Sequence, residues 1–160
     1  FRAYNSATIR IAELTGMAPT KIEAAEISQA FSTGAVESMI TSPTTGKNSK
    51  IWENGVGYFY DIAAWFPKNM VIVNKDAWNK LDSATKKLVM SEAAVAEKKG
   101  WELSKKGNVA DKKALSDAGM KVGKVNSALE KHCQKVGATM ADEWKAKAGS
   151  RGAGVLAAYK

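Results

Sequence analysis

The alternation of strand and helix signals in the first 43 residues restricts the fold of this chain more than any other feature of its sequence. Three short extended segments alternate with two amphipathic segments: strands are predicted over residues 1–4, 19–22 and 36–41, and helices over residues 6–15 and 23–33. Strands joined by helical crossovers lie parallel in a sheet, with right-handed connections. We therefore predict an α/β fold with a parallel or mixed sheet.

Residues with strong capping preferences mark the ends of these segments. Asn5 or Ser6 is expected to cap the first helix, because a short polar side chain at that position accepts a hydrogen bond from the first turn. Gly16 and Gly34 are expected to end the two helices. Ser42, which stands before a proline, ends the third strand.

The rest of the chain favours long helices. Two β-rich runs come first, and Asp82 then follows as a candidate cap for a long helix. Gly100 and Gly107 weaken this helix, so a bend or break is expected there. A short strand and a further helix from Ser127 complete the chain. The predicted β runs cover residues 58–66, 70–74 and 120–124, and the long helix covers residues 83–117. The chain is therefore predicted to divide into an α/β region, residues 1–75, and a region of long helices, residues 76–160.

The net charge of +8 does not indicate a nucleic-acid partner. Residues 1–70 contain six basic and six acidic residues, so the positive excess falls in residues 71–160, where acidic residues interrupt the lysines throughout. A nucleic-acid-binding module instead clusters Lys and Arg on one face, with aromatic residues between them. We interpret the lysines as a solvated helix surface.

The motifs of common enzyme classes are missing from the sequence. It has no nucleophile elbow, zinc-protease motif, P-loop or dinucleotide-binding glycine pattern. Its one histidine, His132, is adjacent to its one cysteine, Cys133, and neighbouring residues do not share a helix face. We therefore predict a protein that is not an enzyme and that carries no metal or cofactor.

Polar side chains follow the predicted strands where ligands bind in parallel α/β sheets, beyond the carboxyl ends. Arg2 is the most informative of them, because a planar guanidinium binds a carboxylate through two parallel hydrogen bonds and a lysine cannot. We predict a site for a small organic acid, formed by Arg2, Asn5, Ser6, Thr41, Ser42, Trp65 and Asn69.

Several segments in this order resemble the second half of a known receptor family. Residues 1–5, 16–20, 24–31, 34–43, 65–69 and 73–82 are similar to the dicarboxylate-binding type of TRAP (tripartite ATP-independent periplasmic) transporter solute-binding proteins. The resemblance implies a two-lobed periplasmic receptor that closes on an organic acid and delivers it to TRAP membrane subunits. It implies that residues 1–75 belong to the second lobe, that the long helices pack across the lobes, and that the first lobe and a signal peptide precede Phe1.

The resemblance also implies roles for individual residues. Arg2 matches the arginine that holds the ligand carboxylate in the family, and Asn5 matches a residue that lines the site. Ser42 departs from the family, in which many members have asparagine, and Met39 and Ile40 stand where others have more polar residues. The identity of the acid therefore stays open, as does the choice between ligand contact and core packing for Trp65.

Two classes of function remain open from the residues alone. One is a receptor for organic-acid uptake, and the other is the ligand-binding part of an α/β enzyme or of a regulatory sensor that acts on a small carboxylate. A secretory signal in the full-length gene would favour the receptor. We also expect exposed apolar surface on these 160 residues, covered by self-association or by the preceding lobe.

Overall fold

The computed structural model describes residues 1–64 and 69–158 of the chain. The elements, in chain order, are β1 (Arg2–Ala3), α1 (Ser6–Leu14), β2 (Thr20–Lys21), a 3₁₀ turn (Ala24–Glu26), α2 (Ile27–Ser32), α3 (Pro43–Asn48), a second 3₁₀ turn (Ile51–Asn54), β3 (Tyr58–Asp61), α4 (Lys75–Asn79), α5 (Ser83–Asp117), β4 (Lys121–Lys124) and α6 (Ser127–Ala158). The fold is an α/β fold, as predicted.

The strands form two small parallel sheets. β1 pairs with β2, Arg2 opposite Thr20, and on its other side Arg2 forms a parallel bridge with Met39. β3 pairs with β4, with Tyr58 opposite Lys121. The parallel arrangement predicted for the first three extended segments is therefore confirmed, and residues 36–41 run beside β1 on the side away from β2.

The predicted helix ends are confirmed where they involve side-chain caps. Asn5 caps α1 through a reciprocal capping box with Thr8, and Asp82 caps α5 by accepting a hydrogen bond from the Thr85 amide. Gly16 follows α1 with φ 73°, a left-handed conformation that costs other residues steric strain. These ends agree with the sequence because capping depends on residues within one turn.

The structure corrects three of the predicted extended segments. Residues 36–41 form a single bridge at Met39, and residues 70–74 form no strand with any part of the chain that the structure describes. The run predicted over residues 58–66 is a strand at Tyr58–Asp61 and ends there, while its residues 65–66 lie outside the described ranges. An apolar alternating pattern suits a strand, but the strand forms only where a neighbour supplies its hydrogen bonds.

Of the bend or break expected at Gly100 and Gly107, the break is wrong, because α5 is one helix of 35 residues. A glycine costs a helix roughly 1 kcal/mol relative to alanine. Two such costs do not interrupt a helix of this length. A change of direction does occur in α6, at Gly149, where φ is 64° and ψ is −151°.

The core lies between α2, the second 3₁₀ turn and the carboxyl-terminal end of α5. Its buried members are Ile27, Ala30, Phe31, Val36, Ile51, Leu115 and Met120. Beside this core Asp111 of α5 accepts hydrogen bonds from Lys47 Nζ and, at 2.6 Å, from Thr44 Oγ1. These bonds lower the pKa of Asp111 and join α5 to α3.

Candidate functional site

The carboxyl ends of three parallel segments lie together at one edge of the first sheet. β1, β2 and the residues around Met39 run in the same direction, so the chain leaves all three at that edge. The residues that follow are Tyr4–Ser6 after β1, Ile22 and Glu23 after β2, and Thr41 and Ser42 after the bridge at Met39. This edge is the usual position of ligands in parallel α/β sheets.

Arg2 lies at the centre of this edge and is buried, with 3% of its surface exposed. Its Nε atom donates a hydrogen bond of 2.9 Å to the Ile22 carbonyl oxygen. Its guanidinium carbon lies 4.5 Å from the centre of the Tyr4 ring, within the range of a cation–π contact. These two contacts hold the guanidinium plane, and among the described residues neither Nη atom has a hydrogen-bond partner.

No carboxylate among the described residues forms a salt bridge with Arg2. Burial lowers the pKa of Arg2, while the fields of Tyr4 and Glu23 raise it. An arginine keeps its proton under such a shift. The edge of the sheet therefore presents a buried positive charge that can be compensated by an anion.

Tyr4 and the Ile22 carbonyl are parts of this site that the sequence-based prediction missed. Tyr4 is two residues from Arg2, and residues i and i+2 of an extended segment lie on the same face. That spacing could have indicated Tyr4. The Ile22 carbonyl could not have been found in this way, because its position depends on the pairing of β1 with β2.

The predicted neutral residues after β1 form the start of α1. Asn5 Oδ1 accepts a hydrogen bond of 2.9 Å from the Thr8 amide, so this oxygen already serves the helix cap. Ser6 is the first residue of α1 and is exposed. Both residues lie close to Arg2 along the chain, at the edge of the sheet where the prediction placed them.

Thr41 and Ser42, the two site residues predicted after the third segment, differ in their exposure to solvent. Thr41 is half-buried, whereas Ser42 is exposed and caps α3 by accepting a hydrogen bond of 3.1 Å from the Thr45 amide. Asn69 is exposed, and no contact with Arg2 is found for it among the described residues. Trp65 lies outside the described residues.

One large cavity does not contain Arg2. It has a volume of about 950 Å³, is lined mostly by apolar side chains, and is bordered by His132 and Cys133 of α6. Over residues 1–64 and 69–158, no group of acidic, histidine or cysteine side chains is arranged to hold a metal ion. In those ranges, no helix has the length and hydropathy required to cross a membrane.

Comparison with solved structures found close similarity along nearly the whole chain. Two extracytoplasmic solute receptors of Bordetella pertussis that bind pyroglutamic acid are 40% and 39% identical, each with a TM-score of 0.94 over 99% of this chain. A marine metagenome TRAP solute-binding protein, specific for pyroglutamate and crystallised with co-purified pyroglutamate, is 35% identical with a TM-score of 0.93. The alignment covers 52% of each of these chains, so the present chain spans about half of their length.

A family model gives the same assignment. The model for bacterial extracellular solute-binding protein family 7, DctP, matches residues 1–147. A comparison with curated proteins found no match. The family consists of transport-associated binding proteins, which sets aside the enzyme alternative. The chain belongs to the bacterial extracellular solute-binding proteins of family 7, within the TRAP receptors that its sequence resembles.

Proposed function

We propose that the full-length protein is a periplasmic receptor that captures a small organic acid and delivers it to TRAP membrane subunits. In this proposal Arg2 binds the ligand carboxylate, and the residues at the carboxyl edge of the first sheet bind the remainder of the ligand. The observation that carries the proposal is the buried Arg2 guanidinium, which has no salt-bridge partner among the described residues.

The energetics of burial support an anionic ligand. A buried charge without a partner is costly, and pairing with a carboxylate recovers much of that cost. Arg10 offers an instructive contrast, since it is more exposed and already bound to Glu13 and Glu143. Of these two arginines of the α/β region, Arg2 is the one that can accept a ligand without breaking an existing ion pair.

The orientation of Arg2 supports recognition of a carboxylate in one plane. The hydrogen bond from Nε to the Ile22 carbonyl oxygen and the Tyr4 ring both restrict rotation of the side chain. A guanidinium held in this way meets a carboxylate through its two Nη atoms, which is a bidentate geometry. Preorganisation of this kind raises affinity because less side-chain freedom is lost on binding.

We propose pyroglutamate, or another cyclic or short monocarboxylic acid, as the ligand class. The relatives that are 35–40% identical bind pyroglutamate, which has one carboxylate and a neutral lactam. The expectation of a dicarboxylate is not supported by these relatives. Ser6, Thr41 and Ser42 are neutral hydrogen-bonding residues at the edge that holds Arg2, and they suit a lactam better than a second carboxylate.

The other predicted residues have defined parts in this proposal. Asn5 would donate through its amide nitrogen, because its oxygen is bonded to the Thr8 amide. Trp65 and Asn69 are proposed to contact the ligand from the segment after β3. The other lobe of the receptor would come from the half of the relatives' length that this chain does not span.

Calorimetric titration of the full-length protein tests the proposal. We expect Arg2→Ala to reduce the affinity for pyroglutamate by about 2–5 kcal/mol, the range for truncation of one partner in a buried charge pair. Arg2→Lys should lose much of the same free energy, since an ammonium group cannot form the parallel pair of hydrogen bonds. Arg10→Ala is the matched control and should bind like the parent protein. Unchanged affinity in Arg2→Ala would place the ligand elsewhere.

A second titration series separates the neutral contacts from the charge. We expect Thr41→Ala to cost about 0.5–1.5 kcal/mol of pyroglutamate affinity, the range for one neutral hydrogen bond. Succinate and proline serve as comparison ligands, because one adds a carboxylate and the other lacks the lactam carbonyl. Tighter binding of succinate than of pyroglutamate by the parent protein would contradict the proposed ligand class.

A further inference from the structure

Tyr4 is held next to Arg2 by two different contacts. Its amide donates a hydrogen bond of 2.9 Å to the Thr8 hydroxyl oxygen, and the guanidinium carbon of Arg2 lies over its ring, 4.5 Å from the ring centre. Tyr4 directly follows β1, so its side chain and that of Arg2 project from the same face of the extended segment. The position of the Tyr4 ring is therefore restrained by the protein itself.

The Tyr4 hydroxyl has no hydrogen-bond partner among the described residues, although the residue is half-buried. In residues 1–64 and 69–158, every side-chain polar atom that is sealed from solvent does have a partner, so the Tyr4 hydroxyl is accessible from outside. A partly enclosed tyrosine hydroxyl usually finds a partner, because its ring is apolar and its hydroxyl is polar. This hydroxyl can donate a hydrogen bond to a ligand without breaking an existing one.

Other hydroxyl groups at this edge of the sheet are less available as donors. The Ser42 hydroxyl donates a hydrogen bond of 3.1 Å to Thr45 Oγ1 and accepts another from the Thr45 amide. The Thr8 hydroxyl is buried and is bonded to Asn5. Compared with Ser42 and Thr8, Tyr4 therefore offers the hydroxyl that a ligand can use without disturbing a helix cap.

The contact between Tyr4 and Arg2 decides which part of a ligand the hydroxyl meets. A carboxylate bound by a guanidinium accepts two parallel hydrogen bonds and lies in the guanidinium plane. Because the Tyr4 ring contacts the same guanidinium, its hydroxyl lies close to a carboxylate bound there. The carboxylate oxygens are then paired with the Nη atoms, and the hydroxyl is left for the group next to the carboxylate.

We propose that Tyr4 determines ligand specificity by donating a hydrogen bond from its hydroxyl to the ring carbonyl oxygen of a bound lactam acid. This inference rests on the proposed function, because it takes Arg2 as the group that binds the carboxylate. Arg2 recognises the carboxylate that all organic acids share, and Tyr4 selects the acids that carry an acceptor beside it. An acid without that acceptor leaves an enclosed hydroxyl unpaired, which lowers its affinity.

Calorimetric titration of the full-length protein with three acids of the same ring size tests the proposal. Pyroglutamate has a ring carbonyl and a ring N–H, its γ-lactone analogue keeps the carbonyl and has an oxygen in place of the N–H, and cyclopentanecarboxylate has neither. Tyr4→Phe should weaken the binding of pyroglutamate and of the lactone by roughly 2- to 12-fold, the range for one neutral hydrogen bond. The affinity for cyclopentanecarboxylate, measured by displacement of pyroglutamate, should not change.

Tyr58→Phe is the matched control, because Tyr58 is an exposed tyrosine on β3, away from Arg2. It should bind all three acids like the parent protein, and a loss like that of Tyr4→Phe would overturn the proposal. Phenylalanine keeps the ring that contacts Arg2, so an equal loss for all three acids in Tyr4→Phe would mean that the hydroxyl acts through Arg2, which also overturns it.

Two other results with Tyr4→Phe would overturn the proposal. Unchanged affinity for pyroglutamate would show that the hydroxyl does not contact the ligand. A loss for pyroglutamate without a loss for the lactone would show that the hydroxyl accepts from the ring N–H and does not donate to the carbonyl. Each of these results leaves the effect of Arg2→Ala, which tests the proposed function, unaltered.

Discussion

The two ends of α5 differ sharply in their surroundings, although one helix contains both. Asp111 and Leu115, near its carboxyl end, are buried, and Leu115 is 0% exposed. By contrast, the apolar residues Leu88, Val95 and Leu103, nearer its amino-terminal end, are 58–63% exposed. Apolar residues in a helix therefore indicate that it can be buried without indicating what buries it.

The same contrast extends to the segment before α5. No described residue between 69 and 110 is buried, and Val71 within the apolar run of residues 70–73 is fully exposed. We name residues 69–110 the exposed arm and the remaining described residues the body. The expected apolar surface is therefore present on the arm. Its covering by another lobe or by a second copy stays a prediction.

The largest expected effect on stability comes from truncating a core side chain of the body. Leu115→Ala in the full-length protein should lower the free energy of unfolding by about 2–5 kcal/mol, because it removes a fully buried side chain and leaves a cavity. Chemical denaturation measures this change. A loss below about 0.5 kcal/mol, the size of a typical surface substitution, would contradict the position of the core.

The next effect tests whether the arm is exposed in the full-length protein. If another lobe covers it, as we expect, Leu103→Ala should cost about 1–3 kcal/mol of unfolding free energy, since burial of a leucine side chain contributes on that scale. The same denaturation measurement applies, with Lys105→Ala on the same helix as a control. A negligible cost would show that the arm remains solvated.

The smallest effect concerns Asp111, which marks the point on α5 where the arm meets the body. Its pKa is lowered from 3.8 by hydrogen bonds from Lys47 and Thr44, so its stabilising contribution is present above that value and is lost as the pH falls through the folded-state pKa. Asp111→Asn should destabilise the protein near neutral pH, and the difference from the parent should narrow below pH 3.8.

Asp117→Asn is the control for this measurement. Asp117 is on the same helix, in an exposed pair with Lys113 that spans four residues. Exposed pairs of this kind contribute little to stability. If the unfolding free energies of the two variants depend equally on pH, the contacts of Asp111 with α3 do not stabilise the protein more than an exposed ion pair does.

The sequence by itself determined the local structure and the fold class. The caps at Asn5 and Asp82 follow from patterns within a few residues, and the parallel order of the first segments follows from the alternation of strand and helix signals. The proposal for Arg2 follows from the chemistry of its side chain. Helix periodicity and capping are short-range effects, and an arginine has the same hydrogen-bonding geometry in any fold. The prediction of an α/β fold with an anion-binding residue rests on these properties.

Only the tertiary structure decided how these parts are completed. The contact of Arg2 with the Ile22 carbonyl, the use of Ser42 as a cap, and the lack of strands at residues 36–41 and 70–74 depend on which segments are neighbours. A strand needs hydrogen bonds from residues distant in the sequence, and an apolar helix face needs a surface to pack against. The physical reason is that such partners are set by the arrangement of the whole chain, not by the segment that requires them.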